Sequence, residues 1–98
     1  MKLAQIEDAG EFQFIRNTLK NHYDVHAGEI LEFWIDGWYM ASESQWVWSS
    51  LNTKVNFFSW AHGEPNGIDQ CIGLYNHQDF LMNDDKCEVA RAYICEDE

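Results

Sequence analysis

Two polar segments that lie far apart in the chain constrain the fold most. Glu64-Pro65-Asn66 places a carboxylate and an amide on either side of a proline, and Met82-Asn83-Asp84 adds an amide beside a carboxylate. Cys71 and Cys87 lie close enough in sequence to fix the loops that carry these side chains. Clustered oxygen ligands on two loops are what a calcium site requires. A fold for this chain should therefore bring the two segments together.

Length and composition predict one domain over residues 1–98. Five Trp, six Phe and four Tyr let so short a chain bury a large area. No apolar stretch is long enough for a membrane span, so no membrane insertion is expected. The net charge of -11 argues against a nucleic-acid partner, because phosphate binding needs clustered basic residues. An acidic chain suits a cation ligand, although acidity also serves solubility alone.

The three cysteines are Cys71, Cys87 and Cys95. Their spacing contains no Cys-x-x-Cys pair, which argues against a structural zinc site. Cysteines in a small, aromatic-rich chain are typical of a secreted domain that is stabilised by disulfides. Because three is an odd number, one cysteine is left over.

The secondary structure can be predicted in outline. Asp8 followed by Glu11 is a capping-box-like start, and apolar residues at helical spacing then predict a helix at about residues 9–21. The apolar run at residues 33–35 predicts a buried strand that ends in a turn at Asp36-Gly37.

The rest of the chain predicts short strands and one long loop. Residues 38–67 show no sustained period and read as a functional loop, with a brief strand around Trp46–Trp48. A hairpin follows, with strands at residues 71–75 and 80–82 joined by a turn at residues 76–79. A final strand is predicted at residues 90–95. One helix, several short strands and a long loop make an α+β domain.

Several motifs in this order together resemble the C-type lectin domain over essentially the whole chain. They are Leu3-Ala4-x-Ile6, residues 33–37, Trp46-Val47-Trp48, Phe58-Ser59-Trp60, Gly63-Glu64-Pro65-Asn66, Met82-Asn83-Asp84 with Cys87, and Tyr93-Ile94-Cys95-Glu96. The resemblance implies an α+β fold with short antiparallel sheets, one retained helix and a long calcium-binding loop.

Two departures from the family pattern matter. Members usually have an opening strand and a first helix before the Leu-Ala-x-Ile segment, and their absence makes this chain look N-terminally short. That helix normally carries the partner of the last cysteine, so the resemblance implies a Cys71–Cys87 bridge and an unpaired Cys95. A homo-oligomer that is disulfide-linked through Cys95 is one hypothesis that follows. Met82 stands where the family usually has Trp; because that position is a packing position, we expect Asn83 and Asp84 to keep their role.

The resemblance also implies a metal site. Its calcium ligands would be Glu64, Asn66, Asp69, Asn83 and Asp84, with the Asp84 backbone carbonyl added. A cis bond before Pro65 would turn the neighbouring carbonyl groups towards one ion. We expect one Ca²⁺ rather than two, because the loop at residues 67–70 is short and Tyr39 stands where another acidic ligand would be needed.

Sugar recognition would use the same atoms, with Glu64, Asn66, Asp69 and Asn83 as the sugar-binding residues. The order Glu then Asn implies sugars with equatorial 3- and 4-hydroxyls, the mannose, GlcNAc and fucose class, bound by a secreted lectin of innate recognition or adhesion. The alternative is a protein-binding or structural member in which calcium only orders the loop. Enzyme activity is not expected, since calcium-bound carboxylates are held ionised and make poor general acids.

Overall fold

The computed structural model describes residues 2–26, 28–65, 70–88 and 92–96. It contains one α-helix and eight strands in these residues. In chain order they are β1 (Lys2–Leu3), α1 (Ala9–His22), β2 (Glu32–Met40), β3 (Gln45–Trp48), β4 (Thr53–Lys54), β5 (Cys71–Tyr75), β6 (Leu81–Asp85), β7 (Ala92–Tyr93) and β8 (Cys95–Glu96). A short 3-10 turn, Asn76–Gln78, joins β5 to β6.

Helix α1 begins as the sequence predicts. The Asp8 side chain accepts a hydrogen bond of 2.8 Å from the Glu11 amide, and Glu11 reaches back to the Glu7 amide at 3.2 Å. The first of these bonds satisfies an amide that the first helical turn leaves without a partner. Phe12 and Leu19 are buried against the sheet. The predicted helix at residues 9–21 is confirmed and ends one residue later, at His22.

The main sheet has six strands, in the order β4-β3-β2-β5-β6, with β7 added parallel to the first half of β2. The other pairs are antiparallel. The predicted hairpin is confirmed, with β5 and β6 paired from Tyr75–Leu81 to Cys71–Asp85. A separate pair joins β1 to β8, so a short strand does precede the helix. The final strand predicted at residues 90–95 appears as β7 and β8, and its beginning lies outside the described residues.

The turn predicted at Asp36-Gly37 is wrong, because β2 continues through both residues. Its register against β5 shifts between Trp34 and Trp38, so the dipeptide forms an irregularity in a strand. Asp36 is buried, and its carboxylate accepts from Gln5, Ser49 and Ser50 at 2.7–3.1 Å.

The long loop predicted at residues 38–67 is wrong in part. The end of β2, all of β3 and all of β4 lie within it and form a meander. Large aromatic side chains hold this meander across the strands: the ring centroids of Tyr39 and Trp46 lie 5.3 Å apart. The strand predicted around Trp46–Trp48 is confirmed. The irregular part is shorter than predicted, and it begins after Lys54.

The core lies between α1 and one face of the main sheet. Its most buried side chains are those of Ile6, Val47, Val55, Ile72, Leu74, Phe80 and Met82. Helix α1 is also fixed to the β5–β6 connection, since Arg16 and Lys20 both form ion pairs with Asp79. Within the described ranges, no helix has both the length and the hydrophobicity of a membrane span.

Candidate functional site

Glu64 lies at the end of a tight turn. Its amide donates to the Ala61 carbonyl oxygen at 2.9 Å, and Gly63 between them has φ +83°. A Cβ at Gly63 would meet nothing within 4 Å, so glycine is favoured there by the left-handed backbone and not by crowding. The Glu64-Pro65 bond that follows is cis, as predicted from the motif.

The turn is attached to the outer edge of strand β6. The Ala61 amide donates to the Met82 carbonyl oxygen at 2.7 Å, and the Met82 amide donates to the Ser59 carbonyl oxygen at 3.0 Å. Trp60 and Met82 form an isolated parallel bridge between these bonds. Met82 itself, which stands where the family usually has Trp, is fully buried. The Glu64 turn therefore lies beside the strand that carries Asn83 and Asp84.

Asn83 and Asp84 leave β6 on opposite faces, since successive side chains of a strand alternate. Asp84 is only 2% exposed and shares the core face with Met82. Asn83 lies on the other face and lines a cleft of about 140 Å³ with Ile30, Glu32, Tyr75 and Asp85. A single ion that binds both residues must therefore lie at the outer edge of the strand, because only an edge is accessible from both faces.

The hydrogen-bond pattern of β6 directs further groups to that edge. Backbone groups of an antiparallel strand point alternately towards and away from the neighbouring strand. Both backbone groups of Met82 bond outwards, to residues 59 and 61. Asp84 lies two residues further along the strand, so its carbonyl group is directed to the same outer edge, as the predicted coordination requires.

The donor set fits a hard cation where the structure describes it. The Oδ1 atom of Asn83 is buried and receives no hydrogen bond from the residues that the structure describes, and an oxygen in that condition is suited to coordinate a metal. Two predicted ligands, Asn66 and Asp69, lie outside the described residues. In the part of the chain that is described, no three His, Cys, Asp or Glu side chains are grouped to hold a metal ion.

The disulfide joins Cys71 to Cys87, with their Cα atoms 5.2 Å apart. Cys71 begins β5 and Cys87 follows the end of β6 by two residues, so the bridge closes the hairpin next to Asp84. Cys95 has a free, partly buried thiol among the described residues. It lines a cavity of about 390 Å³ between α1 and the end of the chain, together with Phe14 and Ile94.

A row of aromatic rings runs beside the Glu64 turn, and sequence reasoning missed its extent. Phe58 stacks on Trp60, Trp60 contacts Trp46, and Trp46 contacts Tyr39, with ring centroids 5.3–5.5 Å apart. The Tyr39 amide donates to the Gln70 carbonyl oxygen at 2.7 Å. Ala61 and Gln70 begin and end the loop of predicted ligands, so the row lies along the base of that loop. The signal in the sequence was the i, i+2 spacing of Phe58 and Trp60.

Comparison with known proteins identifies the family. The model of the Lectin C-type domain matches residues 1–97. The chain belongs to the C-type lectin family. This is a family of non-enzymatic, carbohydrate-binding domains, in agreement with the expectation that the chain is not an enzyme.

A curated relative of this C-type lectin domain is the C-type lectin lectoxin-Enh2 of Pseudoferania polylepis. It is 35% identical over 63 residues, which are 60% of this chain and 56% of the relative. The chain thus spans about half the length of that protein.

Two solved structures share the fold of the domain. The SPL-1–GlcNAc complex has a TM-score of 0.70 at 22% identity and is matched over 86% of this chain and 59% of its own. The Ca²⁺-independent C-type lectin SPL-2 from Saxidomus purpuratus has a TM-score of 0.68 at 21% identity. It is matched over 85% of this chain and 57% of its own. The family therefore includes a protein that works without calcium, which makes calcium dependence a question for each member.

Proposed function

We propose that this C-type lectin domain binds carbohydrate through one calcium ion at the outer edge of β6, beside the Glu64 turn. Its ligands would be Glu64, Asn66, Asp69, Asn83 and Asp84. The observation that carries the proposal is the pair of hydrogen bonds between Met82 and residues 59 and 61, because it holds the Glu64 turn against the strand of Asn83 and Asp84. These bonds place the Glu64 turn next to β6, although the two segments are separated in the sequence.

The chemistry of these residues supports the proposal. Calcium takes about six to eight oxygen ligands and tolerates irregular geometry. The carboxylates of Glu64, Asp69 and Asp84 would balance the charge of the ion, and amide oxygens such as Asn83 Oδ1 would complete the shell without further charge. When bound, the ion supplies open positions for two neighbouring sugar hydroxyls.

The proposed sugar class is that with equatorial 3- and 4-hydroxyls, mannose, GlcNAc and fucose being its representatives. In that arrangement each hydroxyl donates to a carboxylate and accepts from an amide, and the Glu64–Asn66 order supplies one of each. The fold relative SPL-1 is described as a GlcNAc complex, which agrees with this class. One monosaccharide site is weak, so useful binding needs several copies, and a disulfide through Cys95 is one way to link them. The Cys71–Cys87 disulfide favours a secreted, extracellular protein.

The test is retention of the folded protein on mannose resin in calcium buffer, followed by elution with EDTA. We expect retention, release by EDTA, and competition by free mannose but not by galactose. Glu64→Gln should abolish retention, whereas the matched exchange Glu43→Gln, in the exposed turn after β2, should not.

Three other results would separate the alternatives. Retention that EDTA does not reverse would mean a calcium-independent lectin. A protein that calcium stabilises but that the resin does not retain would support the protein-binding or structural alternative. Galactose competing better than mannose would contradict the proposed sugar class.

A further inference from the structure

Phe58 stands out among the aromatic residues near the site because its ring is open to solvent. The adjacent Phe57 turns inwards, with its ring centroid 5.6 Å from that of Phe12. Phe58 turns the other way and is 39% exposed. Burial of apolar area therefore explains the position of Phe57 but not that of Phe58.

The Phe58 ring is held firmly although it is exposed. It stacks on Trp60 with an interplanar angle of 16° and a centroid distance of 5.5 Å. Trp60 is held in turn by Trp46 at 5.3 Å and by the backbone bridge to Met82. A ring stacked on one side leaves its other face for a further contact, and the stacking reduces the entropy that such a contact would cost.

This open ring lies within reach of a ligand at the Glu64 turn. Residues 58–61 run along β6, so three residues of extended chain cover about 10 Å. The turn from Ala61 to Glu64 adds at most about 7 Å between Cα atoms. The Cα atoms of Phe58 and Glu64 are therefore at most about 17 Å apart, a distance that a short oligosaccharide can span.

The chemistry of a pyranose suits an aromatic ring when its substituents are equatorial. The axial C–H groups then line both faces of the sugar, and a C–H-lined face packs on an aromatic ring. In a β-1,4-linked GlcNAc chain, only the non-reducing terminal residue has both its 3- and 4-hydroxyls free. That residue must occupy the ion, and the following residues extend away from it in one direction.

We infer that Phe58, supported by Trp60, forms a second carbohydrate contact for the sugars that follow the terminal one in a β-1,4-linked GlcNAc oligosaccharide. This inference rests on the proposed function. The domain would then recognise short glycans of this class. The ion would bind the terminal residue, and the ring would favour an oligosaccharide over the monosaccharide.

Isothermal titration of GlcNAc and of its β-1,4-linked trimer in calcium buffer tests the inference. The wild type should bind the trimer roughly fivefold more tightly than the monomer, which corresponds to about 1 kcal/mol. Phe58→Ala should lower trimer affinity to that of the monomer and leave monomer affinity unchanged. Phe58→Tyr keeps a ring and should keep the preference for the trimer.

The matched control is Phe14→Ala, which removes a ring that is 71% exposed on α1. It should change neither affinity. Equal trimer affinity in the wild type and Phe58→Ala, or no preference for the trimer in the wild type, would overturn the inference and leave the proposed function intact. A wild type that binds neither sugar would overturn the proposed function itself.

Discussion

The Ala61 amide donates a hydrogen bond of 2.7 Å to the Met82 carbonyl oxygen, and this bond joins the Glu64 turn to the strand of Asn83 and Asp84. Both partners are backbone groups, so the attachment does not depend on the side chains that would bind the ion. Ligand side chains can therefore be exchanged without detaching the turn. The predictions below use this separation between the scaffold and the site.

Asn83→Ala should abolish calcium binding at little cost to the stability of the metal-free protein. No donor among the described residues reaches the buried Asn83 Oδ1 atom, so its removal breaks no hydrogen bond of that oxygen within this part of the chain. Thermal unfolding with and without calcium measures both effects. Wild type should gain about 2.7 kcal/mol at a calcium concentration 100 times the Kd, and the variant should gain nothing. Asp85→Asn, two residues along the same face, is the control and should respond like the wild type.

Loss of the disulfide should destabilise the fold and weaken the site. Cys71 and Cys87 are 16 residues apart, and closing a loop of that length contributes about 3 kcal/mol. The double variant Cys71→Ser, Cys87→Ser should show this loss in urea unfolding. Cys95→Ser removes only a free thiol and should unfold within about 1 kcal/mol of the wild type. Equal stability of the double variant and the wild type would contradict the assigned role of the bridge.

Gly37→Ala should destabilise the core by about 1–3 kcal/mol. A Cβ there would lie 2.6 Å from Ile72 Cδ1 and 3.2 Å from Cγ1, and Ile72 is fully buried. Shortening the neighbour with Ile72→Val should recover part of the loss in the double variant. Gly28→Ala, where nothing lies within 4 Å of the added atom, should have little effect on chemical unfolding. If Gly37→Ala caused no loss of stability, the sheet would have to shift easily at the irregularity between Trp34 and Trp38.

The ion pairs of Asp79 should make a small, acid-sensitive contribution to stability. A hydrogen bond from Lys20 lowers the pKa of the Asp79 carboxyl, opposed by burial and aided by the charges of Lys20 and Arg16. A lowered folded pKa means that the contribution is present above the ordinary value of 3.8 and is lost as the pH falls through the folded value. Because the side chain is 50% exposed, we expect less than about 1 kcal/mol.

The comparison is between wild type and Asp79→Asn in urea unfolding at several pH values. Asparagine tolerates the left-handed backbone of this position, where φ is 60°, so the exchange tests the charge and not the turn. The variant should be the less stable at neutral pH and equal to the wild type once Asp79 is protonated. A difference that persists in strong acid would have to come from something other than the ion pairs.

Local signals in the sequence predicted much of the fold. The cap at Asp8 and the alternation around Trp46–Trp48 each depend on neighbouring residues, and both elements form as predicted. The turn predicted at Asp36-Gly37 does not form, because tertiary contacts outweigh the turn preference of these two residues. The Asp36 carboxylate accepts hydrogen bonds from Gln5, Ser49 and Ser50, and the lack of a side chain at Gly37 leaves room for Ile72. None of these partners is close to Asp36 in sequence.

The site was predictable as a set of residue types but not as an arrangement. The motifs indicated Glu64, Asn83 and Asp84, and the structure brings their segments together at one edge. The attachment through Ala61 and Met82 uses backbone atoms, which residue types do not reveal. The opposite orientations of Asn83 and Asp84 follow from strand alternation once the strand is known to extend to Asp85. The sequence predicted an end at residue 82.

The central claim is that calcium binds where the Glu64 turn meets β6. Backbone amide chemical shifts, recorded by NMR during a calcium titration, test this most directly. Saturable shifts should be concentrated at Gly63, Glu64, Asn83 and Asp84, with Gln13 and Asn17 on the exposed face of α1 unmoved. Shifts concentrated on α1, or no saturable shifts at all, would contradict the claim.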